Sequence, residues 1–82
     1  MMRKIGTVVH YYGKLSVAVV HLDETLMVHD RVAFKGATTG FEQTIDSMQL
    51  DNQDIIIIGK GKEVAVKVKD RVRTGDKLYR LE

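Results

Sequence analysis

The segment from Glu63 to Leu81 alternates apolar and basic side chains with a period of two, and this alternation is the strongest constraint on the fold. Valine occupies positions 64, 66, 68 and 72, whereas Lys or Arg occupies positions 67, 69, 71 and 73. Because successive side chains of a strand point to opposite faces, the period predicts a strand with the valines in the core and the cations outside. Thr74-Gly75-Asp76 interrupts the period and predicts a tight turn before a closing strand at 77–81.

The rest of the chain is divided into similarly short pieces, which predicts an all-β fold with little or no helix. The 82 residues include no Pro and seven Gly, and the segments between the Gly, Asn and Asp breakers are rich in β-branched residues. About six strands fit this length, and that number closes into a small barrel. We therefore predict one domain, residues 1–82, folded as a small closed antiparallel β-barrel whose first and last strands meet.

Several segments carry more specific signals. Residues 4–12 and 15–22 predict a hairpin, in which Gly6 marks a bulge or a close approach of two backbones. Residues 17–20 are apolar throughout, so their strand is either covered on both faces or leaves an apolar patch exposed. A bulge near Asp46-Ser47 would bring the apolar residues of 41–50 to one face. The four isoleucines at 55–58 favour a buried strand.

One turn motif occurs twice in the chain. Residues 26–32 and 72–78 both read apolar, two variable residues, His or Gly, Asp, a cation and an apolar residue. Gly75 adopts a positive φ without strain, and His29, in the same place of the first copy, tolerates it better than most residues. Asp30 and Asp76 can then accept hydrogen bonds from the turn backbone. We interpret both aspartates as turn formers and not as catalytic acids.

Four short patterns follow one another in a fixed order along the chain. They are Gly6-x-Val8, Leu26-x-Val28-x-Asp30-x-Val32, Ser47-Met48-Gln49 and Gly61-Lys62-Glu63-Val64-Ala65-Val66-x-Val68. In this order the chain resembles the β-barrel second domain of translation GTPases such as elongation factor Tu and initiation factor two. The resemblance implies a barrel fold and a translation-linked setting, but it does not specify a ligand. The residues that hold the aminoacyl end of tRNA in elongation factor Tu have no counterpart here.

A second resemblance rests on two further motifs together with Ser47-Met48-Gln49. His10-Tyr11, Phe41-Glu42-Gln43 and Ser47-Met48-Gln49 are similar to the recurring pattern of the small C-terminal barrel of some collagenase-like peptidases. Two positions depart from the expected patterns. His29 replaces the usual glycine before the aspartate, and the isoleucine run replaces a more polar segment.

The residues that enzymes and cofactor sites need are missing from the expected spacings. The chain has no Cys, no phosphate-binding loop of the G-x-x-x-x-G-K-S/T type and no serine between elbow glycines. His10, His21 and His29 lack the spacing of a metal site, so we interpret them as surface or edge residues. We predict a non-catalytic chain without cofactor or metal and without measurable affinity for GTP.

Two segments are candidate binding surfaces. Residues 60–82 carry eight Lys and Arg against four Asp and Glu. The candidate basic face consists of Lys60, Lys62, Lys67, Lys69, Arg71 and Arg73. It would follow the phosphates of structured RNA, or else it is only the solvated side of a strand that blocks edge pairing.

The second candidate, the hairpin with Tyr11, Tyr12 and Lys14, would stack a base and hold a phosphate. Alternatively, one tyrosine caps the barrel and the other lies on the surface.

These observations predict a non-catalytic binding module whose partner is tRNA, rRNA or a translation-related protein. The competing prediction is a protein-interaction or oligomerisation module with no role in nucleic-acid binding. In that case residues 17–20 or 55–58 would form the contact, in a homo-oligomer or with another protein. We expect a cytoplasmic location, since there is no Cys and no apolar run long enough for a membrane span. No small-molecule substrate is predicted.

Overall fold

The computed structural model describes all residues, 1–82, and contains ten β-strands and no helix. The strands are β1 (Met2–Tyr12), β2 (Val17–Leu22), β3 (Leu26–Met27), β4 (Arg31–Lys35), β5 (Gly40–Thr44), β6 (Met48–Leu50), β7 (Gln53–Ile55), β8 (Ile57–Ile58), β9 (Glu63–Lys67) and β10 (Lys77–Leu81). The prediction of an all-β chain is confirmed. The strands are more numerous and shorter than the six predicted.

Eight strands form one antiparallel sheet in the order β5-β4-β10-β1-β2-β9-β6-β7, and β3 and β8 form a separate two-stranded ribbon. The hairpin of β1 and β2 is at the centre, and β1 also pairs with β10, from Met2 opposite Leu81 to Thr7 opposite Lys77. The predicted meeting of the first and last strands is therefore confirmed. The predicted closed barrel is not: β5 and β7 are the two ends of the sheet and do not pair with each other.

A side chain, and not a strand ladder, connects β5 to the far half of the sheet. Gln43 on β5 is buried, and its Nε2 donates to the Lys67 carbonyl at 3.0 Å. Its Oε1 accepts a hydrogen bond from the Lys69 backbone N–H at 2.9 Å. A strand ladder would need a series of backbone hydrogen bonds, whereas here a single side-chain amide makes the connection. The sheet is therefore connected at this point but remains open.

The core confirms the alternation that dominates the sequence. Val64, Val66, Val68 and Val72 are all buried, and they join a cluster of 16 buried apolar residues around Phe34. The regular strand, however, is shorter than the alternation predicts. β9 ends at Lys67, and residues 68–76 form a loop in which Val68 and Val72 still point inward. The loop carries the chain from β9, beside β2, to β10, on the other side of β1.

Gly6 marks both a bulge and a close approach, as predicted. The pairing of β1 with β10 shifts register between Lys4 and Gly6, which leaves one extra residue in β1. A Cβ atom on Gly6 would lie 2.7 Å from Val20 Cγ1 and 2.8 Å from the His21 carbonyl oxygen. These distances are shorter than normal van der Waals contact, so only glycine lets β1 and β2 approach this closely.

The repeated turn is built the same way in both copies. In the first copy, Asp30 Oδ2 accepts a hydrogen bond from the Met27 N–H at 3.0 Å, and His29 has a φ of 78°. In the second, Asp76 Oδ2 accepts one from the Arg73 N–H at 2.8 Å, and Gly75 has a φ of 94°. The interpretation of Asp30 and Asp76 as turn formers is confirmed.

The two copies of the turn predict opposite effects of substitution at the residue before the aspartate. We expect His29→Gly to stabilise the fold by up to about 1 kcal/mol. A left-handed L-residue costs about 1–2 kcal/mol, and the greater flexibility of unfolded glycine offsets part of the gain. We expect Gly75→Ala to destabilise it by about 1–2 kcal/mol, although no atom lies within 4 Å of the added methyl group. Thermal unfolding checks both predictions, since the midpoint should shift by roughly 4–8 °C per kcal/mol. Equal midpoints for the unmodified protein and the two variants would contradict the shared turn.

Two apolar segments differ from their predictions. The isoleucine run is not a buried strand: it bends between β7 and β8, where Ile56 is 70% and Ile57 52% exposed, and only Ile58 is buried. The predicted bulge near Asp46-Ser47 is a complete break between β5 and β6, because β5 pairs with β4 whereas β6 pairs with β7 and β9. The four apolar residues predicted to share a face do contact one core: Ile45 and Met48 are buried in it, and Phe41 and Leu50 are half-buried against it.

Candidate nucleic-acid interface

Three loops meet beside the end of β9. The turn Gly13–Ser16 is joined to the start of the β9–β10 loop, since the Val68 N–H donates to the Ser16 carbonyl at 2.9 Å. The β4–β5 loop, residues 36–39, faces Arg71 and Arg73 across a cavity. Five cations lie on these loops and on the last residue of β9, and we call them the basic end: Lys14, Lys67, Lys69, Arg71 and Arg73.

Hydrogen bonds hold four of the five residues of the basic end: Lys67, Lys69, Arg71 and Arg73. Lys67 Nζ donates to the Leu15 carbonyl at 2.8 Å, which joins β9 to the β1–β2 turn. The Lys69 N–H donates to Gln43 Oε1. The Arg71 N–H donates to Asp70 Oδ1 at 2.7 Å, and the Arg73 N–H donates to Asp76. Each of the four residues is therefore anchored by a polar contact, while the charged groups of Lys69, Arg71 and Arg73 stay free.

Ion pairs form elsewhere on the molecule. Five are present, and the shortest joins Lys4 Nζ to Asp23 Oδ2 at 2.9 Å. This hydrogen bond lowers the pKa of Asp23 below its ordinary value of 3.8. The stabilising contribution of the pair is therefore present above pH 3.8 and is lost as the pH falls through the lowered value. No cation of the basic end is within 4.0 Å of a carboxylate, although Asp46 and Asp70 line the cavities beside these cations.

The structure divides the basic face predicted from the sequence. Lys67 and Lys69 line one shallow cavity, and Arg71 and Arg73 line another. Lys60 and Lys62 are at the opposite end of β9, where the Leu22 N–H donates to the Lys62 carbonyl. The picture of one straight strand of outward cations is wrong, because β9 ends at Lys67 and the remaining cations are on a loop. All six predicted cations are exposed.

The two tyrosines of the hairpin have different environments. Tyr11 is half-buried and packs against the core, whereas Tyr12 is 48% exposed with its ring 4.2 Å from the His10 ring. This matches the alternative in which one tyrosine caps the core and the other lies on the surface. Tyr12 lines a groove on the outer face of β2, β9 and β6, together with Leu15, Val17 and Val19. Residues 17–20 therefore leave an apolar patch exposed on one face.

Three residues of this region were missed in the sequence analysis. Thr38 and Thr39 face Arg71 and Arg73, and Gln43 connects β5 to the β9–β10 loop. Gln43 lies in the Phe-Glu-Gln motif, which drew attention to the position without indicating a role. The threonines carried no signal, since they are about 30 residues away from the arginines in the sequence.

No group of three or more His, Cys, Asp and Glu side chains is close enough together to hold a metal ion. His10, His21 and His29 are all exposed, as predicted for surface histidines. The chain has no helix that is long and apolar enough to cross a membrane.

The fold and the basic end define a small all-β domain with an exposed cluster of cations. No family model matches the chain. It is 41% identical over 80 residues to an uncharacterized protease of Methanocaldococcus jannaschii and 30% identical over 80 residues to a collagenase of Porphyromonas gingivalis. These matches cover 96% and 95% of this chain, but only 20% and 22% of the two relatives.

A solved structure has the same fold. The C-terminal domain of a U32 peptidase-like protein from Geobacillus thermoleovorans superposes with a TM-score of 0.89 at 20% identity, and the match covers 95% of this chain and 91% of that one. The chain is thus homologous to one part of collagenase-like peptidases and folds like a U32 peptidase C-terminal domain. It spans about a fifth of the length of the relatives that it matches. The resemblance to translation GTPases gains no support from these comparisons and stays a prediction.

Proposed function

We propose that the chain is a non-catalytic binding domain of a U32 peptidase-like protein and that its basic end contacts the phosphate backbone of structured RNA, of the tRNA or rRNA class. The relatives are described as proteases, and about four fifths of their length lies outside the matched region. We assign any catalytic work to that remainder. The domain itself contributes affinity and orientation.

The observation that supports RNA is the clustering of five exposed cations without ion pairs at the basic end. Exposed cations that only keep a protein soluble are normally interspersed with acids, and elsewhere on this surface Arg3, Lys4, Arg31 and Arg80 are each within 4.0 Å of a carboxylate. The five cations of the basic end have no carboxylate within 4.0 Å, and neither have Lys35, Lys60, Lys62 and Lys77. The basic end differs from those four lysines in bringing five cations together on adjoining loops. Clustered Lys and Arg on one side of a domain bind nucleic acid through phosphates, with little dependence on base sequence.

The RNA prediction is tested with Lys14→Gln/Lys69→Gln, which removes two free charges and leaves the Lys67 hydrogen bond intact. We expect weaker binding to folded tRNA, by at least about tenfold at 50 mM salt, and a salt slope lower by roughly 1.5–2, because fewer counterions are released. Fluorescence anisotropy at several salt concentrations measures both. The fold should be unaffected, since exposed substitutions cost within about 0.5 kcal/mol.

Lys60→Gln/Lys62→Gln is the matched control, because it removes the same charge from the opposite end of β9. It should change the affinity and the slope much less. Equal losses in both variants would show that only net charge matters, and no RNA retention by the unmodified domain would refute the proposal.

A second candidate function, protein interaction, rests on the exposed apolar side chains. Met27 and Ile57 are cross-strand partners on the β3–β8 ribbon and are 46% and 52% exposed, next to Ile56. The groove beside Tyr12 and Val19 is a second apolar area, with a volume of about 500 Å³. A dimer in sedimentation experiments, combined with no RNA retention, would favour this function over the first.

A further inference from the structure

The basic end contains a small polar pocket between two loops. Its volume is about 260 Å³, and Thr38 and Thr39 of the β4–β5 loop form one side and Arg71 and Arg73 the other. None of these four side chains makes an ion pair or a hydrogen bond within the chain. Two guanidinium groups and two hydroxyl groups are therefore free to donate hydrogen bonds into the same space.

Both walls of the pocket are fixed by backbone contacts. The Gly36 N–H donates to the Thr39 carbonyl at 2.9 Å, which closes the turn that carries the threonines. On the other wall, Asp70 and Asp76 accept the N–H groups of Arg71 and Arg73. Gly36 also packs directly against the Asp76 side chain, so the two walls are in contact at their base. Because the backbone of both walls is already held, a ligand would have to order only the side chains that contact it.

The size and lining of the pocket indicate the class of ligand. Pockets for drug-sized molecules have volumes of roughly 300–1,000 Å³ and are mostly apolar. This pocket is smaller and has a single apolar lining residue, Phe41. Two arginines outweigh the one carboxylate, Asp70, whose Oδ1 is already bonded to the Arg71 N–H. These features fit a small oxyanion, and the planar guanidinium group matches phosphate through paired hydrogen bonds.

We infer that this pocket binds a single phosphate group through the Arg71 and Arg73 guanidinium groups and the Thr38 and Thr39 hydroxyl groups. The inference rests on the proposed function for the source of the phosphate, which is RNA. Either a terminal phosphate or an internal phosphodiester supplies the same oxygen acceptors. The other cations of the basic end, Lys14, Lys67 and Lys69, then contact neighbouring phosphates.

The test is a titration of ¹⁵N-labelled protein with inorganic phosphate, with chloride used to keep the ionic strength constant. We expect saturable shifts of amide signals confined to residues 36–41 and 69–76. Arg71→Gln/Arg73→Gln should weaken phosphate binding by at least about tenfold, since each lost charge-assisted hydrogen bond is worth that much or more. Thr38→Ala/Thr39→Ala should weaken it less. Lys60→Gln/Lys62→Gln, with the same change in charge as the arginine variant, should leave it unchanged.

The inference is overturned if phosphate produces no saturable shifts, if acetate reproduces them at equal concentration, or if they persist in the arginine variant. RNA oligonucleotides with a 5′-phosphate or a 5′-hydroxyl group separate the two sources: a preference for the former assigns a terminal phosphate, and equal binding an internal one. Phosphate binding without RNA retention would support the pocket and refute the proposed function. RNA retention without a phosphate response would refute the pocket and support the proposed function.

Discussion

Replacement of Gly36 by alanine is expected to destabilise the domain by about 1–3 kcal/mol and to disturb the phosphate pocket at the same time. A Cβ atom at this position would lie 2.6 Å from Asp76 Cγ. The carboxylate cannot move away freely, because it is buried and its Oδ2 accepts the Arg73 N–H. The cost therefore combines overpacking with the loss of a hydrogen bond in the turn. Urea unfolding measures the stability, and the phosphate titration measures the effect on the pocket.

Gly40→Ala is the control for this prediction. Gly40 follows the same loop as the first residue of β5, and no atom lies within 4 Å of the position that its Cβ would occupy. Its φ is not in the left-handed region, so the added methyl group strains neither the packing nor the backbone. If Gly36→Ala and Gly40→Ala have the same midpoint of unfolding, the contact between Gly36 and Asp76 does not constrain the pocket.

Local patterns predicted much of the fold. The burial of Val64, Val66 and Val68 follows from side-chain alternation, which depends only on the strand period. The tight fit at Gly6 and the paired turns at Asp30 and Asp76 follow from residue types that few other conformations favour. In each case the signal lies in one residue type or a few neighbouring residues, even where the contact itself is distant in sequence, as between Gly6 and Val20.

Long-range features of the fold were predicted less well. A run of β-branched residues indicates an extended chain, but it does not show how many of its side chains are covered by other parts of the fold. The exposure of Ile56 and Ile57 was missed for this reason. Whether the sheet closes depends on what lies opposite β5. There β5 meets the end of β9 and the start of the β9–β10 loop through the Gln43 side chain and not through a strand ladder. Nothing in the strand period distinguishes these two cases.

The candidate site was predictable in composition but not in shape. Alternating charge placed Lys69, Arg71 and Arg73 on the surface, which is correct. It did not separate them from Lys60 and Lys62, because charge patterns do not show where a strand ends. The pairing of the two arginines with Thr38 and Thr39 arises from the crossing of the β9–β10 loop beside the β4–β5 loop, which is a property of the topology.

Gln43→Leu is expected to lower the free energy of unfolding by about 2–4 kcal/mol, which is more than the loss expected for Gly36→Ala. Leucine is similar in size to glutamine, and its apolar side chain suits a buried position, so the packing changes little. The substitution removes all three hydrogen bonds of the amide: to the Lys67 carbonyl, to the Thr44 carbonyl at 3.4 Å, and from the Lys69 N–H. Each backbone group left without a partner in a partly buried position costs about 1–3 kcal/mol. The β9–β10 loop should also loosen, and hydrogen exchange at Lys69 should become faster.

Gln49→Leu separates this effect from the general cost of losing a glutamine. Gln49 is exposed, and its Nε2 donates at 3.0 Å to Asp54 Oδ1 on the paired strand β7. Water can replace that bond, so we expect a cost below about 1 kcal/mol. If the two variants lose equal stability and the Lys69 amide keeps its protection in Gln43→Leu, the backbone alone holds the loop. In that case the Gln43 amide is not the connection between β5 and the basic end.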